Sequence, residues 1–181
     1  MPGPIFCSGE RVELRTTERE DVDFIQRART DPAIRTSLGF VRPYNHEQTE
    51  EFFENTISAD NGDSNFLVCV DGEPVGEVNL FRVERDHGEI AYWLDSDWRG
   101  EGYATEAVSL LLRYAFGTRG LHRVFARIGG FNDGSRGLVE RLGFQREGRL
   151  RDHTFWRGEY HDTFVYGLLR EEWNGGFESH E

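Results

Sequence analysis

Apolar and polar positions alternate over Arg11–Thr16, the pattern of a half-buried strand. Thr17, with Glu20 three residues on, is placed to cap a helix through Val22 to Arg29, which Asp31-Pro32 closes. A second amphipathic stretch from Glu47 to about Ala59 carries Phe52, Phe53, Thr56 and Ile57 on one side. Phe66–Val70 reads as a strand, Asp71-Gly72 as a hairpin turn, and Pro74–Val83 as the returning strand. Gly88 opens the next, Glu89–Leu94. From Gly102 to Phe116, Ala104, Ala107, Val108, Leu111, Leu112 and Ala115 recur at helical spacing; Gly117 and Gly120 end that helix, and His122–Ile128 is a strand again. A strand, helix and strand joined this tightly predict a parallel pair with a right-handed crossover. A short helix over Gly134–Leu142 and strands near Phe144–Arg151 and Tyr160–Leu169 follow. One α/β domain with a mixed sheet is predicted over residues 11–173, with tails at 1–10 and 174–181.

The length of 181 residues suits a single domain with a full core. Charge adds more. The net charge is −12, with 33 acidic against 21 basic residues; every basic residue is arginine, and lysine is absent. Such a surface argues against sequence-independent nucleic-acid binding and against anionic lipid, both of which need a basic face. It fits a high-salt cytoplasm, since at ~1 M salt the Debye length falls to about 3 Å and acidic self-repulsion is screened. A halophilic source is therefore expected, with a GC-rich mesophile as the alternative. Cys7 falls in the expected N-terminal tail and Cys69 in an apolar strand, which speaks against a disulfide framework or a thiolate metal site. The N-terminus has no basic region followed by an apolar run, and no apolar stretch approaches transmembrane length, so a cytoplasmic location is the expectation. His46, His87, His122, His153, His161 and His180 lack metal-ligand spacing, and no metal is expected.

The informative segment is Trp98-Arg99-Gly100-Glu101-Gly102-Tyr103-Ala104, between a strand and a helix. Two glycines allow a tight turn that brings backbone N–H groups to a ligand, and the helix N-terminus adds about half a positive charge. A diphosphate suits this pocket, and Arg99 can add a charge-assisted contact. A dinucleotide-binding loop fits less well, because Thr105 stands where a third glycine or alanine is needed. A P-loop is excluded by the missing lysine.

Arg99-x-x-Gly102-x-Ala104 resembles motif A of the GNAT superfamily, the Gcn-five-related N-acetyltransferases, and the longer string YWLDSDWRGEGYATEA is similar to the branch containing RimJ and RimL, the ribosomal-protein N-terminal acetyltransferases. The resemblance continues through Asn132-x-x-Ser135, Glu140-x-x-Gly143-Phe144, Glu147-Gly148-x-Leu150-Arg151, Gly158-Glu159-Tyr160-His161-Asp162 and Leu168 to Trp173. It implies a mixed, mostly antiparallel sheet of about seven strands with a central splayed parallel pair, flanked by about four helices. It also implies acetyl-CoA as acyl donor, lying between the strands that end at Leu94 and near Ile128. Backbone around Trp93 and Leu94 would pair with the pantetheine, and Leu94 N–H would stabilise the oxyanion. Arg99, Gly100, Gly102, Tyr103 and Ala104 would hold the diphosphate, with Asn132 on the pantetheine and Ser135 near the sulfur. Glu101 departs from the pattern, standing where a cation is common.

The implied chemistry is attack by a neutral amine on the thioester, accelerated by proximity in a ternary complex. Glu89 is the first candidate for general base, its alternative reading being a solvent-facing strand carboxylate, and Glu77 on the neighbouring strand is the second. The RimL-like base position falls near Thr154, beside His153. Ser135 and Tyr103 are candidates for protonating the departing thiolate, with helix capping the alternative for Ser135. An α-amine near 7.7–8.0 is about a tenth neutral at pH 7, whereas a lysine amine near 10.4 is almost fully charged, so a modest base favours a protein or peptide N-terminus. A small amine (an aminoglycoside, polyamine or amino acid) is the rival acceptor; a non-catalytic acyl-CoA-binding module is the rival of another class. A monomer or homodimer is expected.

Overall fold

The computed structural model describes residues 2–175, so residues 176–181 of the expected C-terminal tail lie outside the described residues. The strands are β1 (Ile5–Ser8), β2 (Glu13–Thr16), β3 (Ser64–Val70), β4 (Glu73–Glu84), β5 (His87–Leu94), β6 (Arg123–Gly129), β7 (Gln145–Trp156) and β8 (Glu159–Leu169). They form a single sheet in the order β1-β2-β3-β4-β5-β6-β8-β7. Five α-helices accompany them: α1 (Val22–Thr30), α2 (Pro32–Arg35), α3 (His46–Phe52), α4 (Tyr103–Arg113) and α5 (Asp133–Arg141).

Every strand pair is antiparallel except β5–β6, which is parallel and short. The β5–β6 register runs from His87↔Arg123 to Glu89↔Phe125 and stops there, although β5 continues to Leu94 and β6 to Gly129. Each of these strands stays paired on its outer side, Gly76↔Leu94 for β5 and Gly129↔Thr163 for β6. The sheet therefore splits down its middle, as the resemblance implies.

Strand alternation gives the two sides of the split different roles. Ile90 and Leu94 of β5 join Val78 and Leu80 of β4 in the main core, under Val108, Leu111 and Leu112 of α4 and Leu138 and Val139 of α5. Burying one such aliphatic side chain contributes about 1.5–3 kcal/mol, which anchors α4 across the sheet. The alternate residues, Glu89, Ala91 and Trp93, face the other way. Trp93 packs there with Ala28 of α1 and Ile34 of α2, flanked by Phe24, Leu38 and Phe40.

Three boundaries differ from the sequence expectation. Ile5–Ser8, expected in a tail, is an edge strand on β2, and Phe6 stacks on Phe66 at 4.8 Å. Its four residues are mostly exposed, so no hydrophobic alternation marks them. Asp31-Pro32 ends α1 but also starts α2: Asp31 Oδ1 accepts from Ala33 N–H at 2.7 Å, and Pro32 takes the first helical position, where its missing N–H costs nothing. The strand expected near Phe144–Arg151 continues to Trp156, turning at Arg157-Gly158 into β8.

Candidate active site

A cavity of about 940 Å³ opens at the split. Its lining includes Tyr92 and Leu94 of β5, residues of the 99–105 turn, Asn132 and Ser135 at the start of α5, and Ala33, Thr36 and Ser37 from α2 and just after it. No helix among the described residues is long and apolar enough to cross a membrane. Nor do three or more His, Cys, Asp or Glu side chains come together as a metal site among the described residues.

The turn is built by backbone chemistry. Gly100 and Gly102 have φ of +89° and +90°, a region that L side chains rarely adopt. At Gly102 an added Cβ would also lie 3.2 Å from an Arg11 guanidinium nitrogen. Gly102 caps α4, and the first intrahelical bond runs from Glu106 N–H to the Gly102 carbonyl at 3.1 Å. The N–H groups of Tyr103, Ala104 and Thr105 precede that bond and line the cavity, an anion cradle at a helix N-terminus.

Arg99 does something beyond the expected diphosphate contact: its Nε donates to the Leu94 carbonyl at 2.9 Å, tying the turn to the end of β5. Arg11 was missed, since nothing in a short alternating strand marks one arginine as a ligand. Its Nη1 donates to the Glu101 carbonyl at 3.0 Å, and its guanidinium lies 4.7 Å from the Tyr103 ring centre. Arg11 therefore brings a cation to the turn where Glu101 departs from the pattern. The cavity wall also includes Arg141 and Arg157. Among the described residues its one lining carboxylate, Glu106, is held by the backbone N–H groups of Arg11 (2.8 Å) and Val12 (3.2 Å) and pairs with Arg11 Nε at 3.4 Å. A chain of net charge −12 thus concentrates cations where a polyphosphate would lie.

Asn132 caps α5, its Oδ1 accepting from Ser135 N–H at 3.1 Å, so Asn132 rather than Ser135 is the capping residue. Tyr92, also missed, donates from its hydroxyl to the Ser135 carbonyl at 3.2 Å across the split; burial pushes that phenol up to about 12, so it stays a donor through the neutral range. Tyr103 is held at the turn between Trp98, at 5.7 Å, and Arg11. Thr154 bonds Thr163 at 2.8 Å between β7 and β8, a cross-strand hydroxyl pair.

The two glutamates share the face of the sheet opposite α4 but have different surroundings. Glu89 is 4 % exposed and does not line the cavity, so it is not the solvent-facing carboxylate of the alternative reading. Arg82 Nη1 donates to it at 2.8 Å and Arg127 Nε and Nη2 at 2.8 and 3.1 Å. Burial raises its pKa while Arg82 opposes the rise. With both oxygens held by guanidinium groups, Glu89 is a structural anion at the last β5–β6 pair.

Glu77, 9 % exposed, stands opposite Trp93 in the ladder and accepts from its indole Nε1–H at 2.6 Å. Burial pushes its carboxyl up to about 7, against the weaker pull of that hydrogen bond and of Arg29. Asn79 follows two residues along the same face, opposite Ala91, and its Oδ1 is buried without a hydrogen-bond partner. Glu77 does not line the large cavity; it lies on the other face of the split β5 edge.

Residues 11–145 match the family model for the acetyltransferase (GNAT) domain. The chain is 32% identical over 172 residues to an uncharacterized N-acetyltransferase of Bacillus subtilis, YokL, covering 92% of this chain and 94% of that one. It is 36% identical over 107 residues to the putative ribosomal N-acetyltransferase YdaF of the same species, over 58% of each chain. Among solved structures, spermidine N-acetyltransferase from Vibrio cholerae in complex with CoA and spermine superposes with a TM-score of 0.84 at 26% identity, covering 91% of this chain and 98% of that one.

Proposed function

The chain belongs to the GNAT acetyltransferase family and is an acetyl-CoA-dependent N-acetyltransferase, and from that premise we propose that its acceptor is a protein or peptide N-terminal α-amine, as in the RimJ/RimL-like branch. The observation carrying this reading is Glu77, a carboxyl lifted to about 7 on the face opposite the α4 side of the cleft. A base of that strength suits an amine that titrates near 7.7–8.0; it suits a polyamine or lysine amine, with about two units more, poorly.

In this reading the diphosphate of acetyl-CoA rests on Gly100, Gly102, Tyr103 and Ala104, with Arg99 and Arg11 supplying charge. The pantetheine runs along the opened edge of β5 at Trp93 and Leu94, past Asn132. The neutral amine attacks the acetyl carbon, the carbon–sulfur bond breaks, and the proton lost by nitrogen passes to Glu77 directly or through one water. Leu94 N–H faces the developing oxyanion. Ser135, at the start of α5, offers a hydroxyl proton to the departing thiolate. Glu89 stays an ion-paired staple.

The second reading, a polyamine acceptor, is favoured by the likeness to the Vibrio cholerae enzyme over most of both chains. Against it stands Arg29, a buried cation whose charge Glu77 feels. The test is mass spectrometry of short peptides with free or blocked N-termini, and of spermidine, each incubated with labelled acetyl-CoA. Acetylation confined to free N-termini is expected; acetylation of spermidine alone would reject the α-amine reading.

A further inference from the structure

Arg29 is a buried charge to which the fold gives no hydrogen-bonded partner among the described residues. It lies on α1 and is 8 % exposed, and its Nε is buried with no hydrogen-bond partner. Among the described residues its guanidinium meets aromatic faces only: Phe40 at 4.2 Å, Tyr44 at 4.1 Å and Phe52 at 4.4 Å from the ring centres. Rings attract a cation but do not replace the acceptors that five N–H donors require. Arg27, two residues earlier on the same helix, has what Arg29 lacks, a carboxylate partner in Asp95. A buried arginine with no hydrogen-bonded anion is an expensive arrangement for a fold to keep unless something supplies the missing acceptor.

Its neighbours show where such a ligand would lie. Ala28, next in the chain, packs on Trp93, whose indole donates to Glu77. Arg29 and Glu77 feel each other's charge, so they share one environment. Two residues beyond Glu77, Asn79 presents an unpartnered Oδ1 beside the small Ala91. The groups short of a partner are thus the Arg29 guanidinium and the Asn79 Oδ1, with the Glu77 carboxyl on the same strand face as Asn79, a set complementary to a molecule carrying both an amine and an anion.

Resting on the α-amine reading above and narrowing it, we infer that Arg29 is the anchor of a carboxylate subsite, so that the preferred acceptor is an α-amine with a carboxylate within its first two residues. A peptide with an acidic second residue and a free amino acid both offer this chemistry, whereas a polyamine offers only further positive charge.

The experiment compares kcat/KM for two C-terminally amidated tetrapeptides beginning Ser-Asp and Ser-Asn, and for free alanine against alaninamide, in the wild type and in Arg29→Gln. The wild type is expected to favour the carboxylate member by about tenfold or more, as when a buried polar group loses its partner. R29Q should bring the ratio close to one while calorimetry shows unchanged CoA affinity. Preference in the peptide pair alone identifies a chain terminus as the source; preference in the alanine pair, with or without the other, admits the free amino acid. Equal turnover within both pairs by the wild type, or a ratio that survives in R29Q, overturns the subsite and leaves the α-amine reading standing. Turnover of spermidine with neither peptide overturns both. Should R29Q not fold, the wild-type ratio decides.

Discussion

Glu77 and Glu89 occupy the same face of adjacent strands, both almost fully buried, and burial raises the pKa of each. Glu89 sits where β5 and β6 still pair, and Arg82 from β4 and Arg127 from β6 close on both its oxygens. Glu77 sits beside the stretch of β5 that has lost its parallel partner, and its hydrogen-bond donor is a neutral indole. Burial alone therefore does not make a base. What separates the two is compensation: a carboxylate matched by cations is a staple across three strands, while one matched by a neutral N–H is held near the point of ionisation.

The largest effect that would sharpen this contrast is expected from Glu77→Gln, which should lower kcat/KM by about 10²–10³-fold with CoA affinity unchanged. The pH dependence has a definite sign. A base works deprotonated, so wild-type kcat/KM should rise through about pH 7 and level above it. Stability should run the other way. Glu77's folded pKa of about 7 exceeds its ordinary 4.5, so its contribution is complete below about 4.5 and is lost as pH rises through 7. E77Q should accordingly melt higher than the wild type above pH 7, a gain in stability with a loss of activity. Glu89→Gln is expected to do the reverse, costing about 2 kcal/mol in denaturant unfolding while changing kcat less than about threefold; the partial exposure of Arg82 and Arg127 limits the cost.

Smaller effects probe the two sides of the split. Gly102→Ala places a side chain at φ +90° and should cost about 1–2 kcal/mol of local strain, weakening CoA binding about tenfold by calorimetry. Trp93→Phe removes the hydrogen bond that favours ionised Glu77. It should move the midpoint of the kcat/KM profile upward by less than about one pH unit.

The 99–104 turn and the helix after it were legible in the sequence because they are made by backbone and periodicity: left-handed turns leave glycines at 100 and 102, and a half-buried helix leaves an apolar stripe. The acceptor side is made by side chains distant in sequence. Glu89 is adjacent to neither Arg82 nor Arg127 in the chain, and no spacing rule distinguishes it from Glu77. The difference between the two carboxyls lies in these ion pairs, which only the fold brings together. Arg29 was hidden for the same reason, since its cage combines one helix with residues 40, 44 and 52. Arg11 became visible only when β2 proved to start against the α4 N-terminus.

The most direct measurement is a ¹³C NMR titration of the Glu77 side-chain carboxyl in the CoA-bound enzyme, read beside the pH profile of kcat/KM. A common midpoint near 7, with the kinetic step abolished in E77Q, is the predicted result. A Glu77 carboxyl that ionises in the ordinary range near 4.5, or a kinetic midpoint that persists in E77Q, would contradict it.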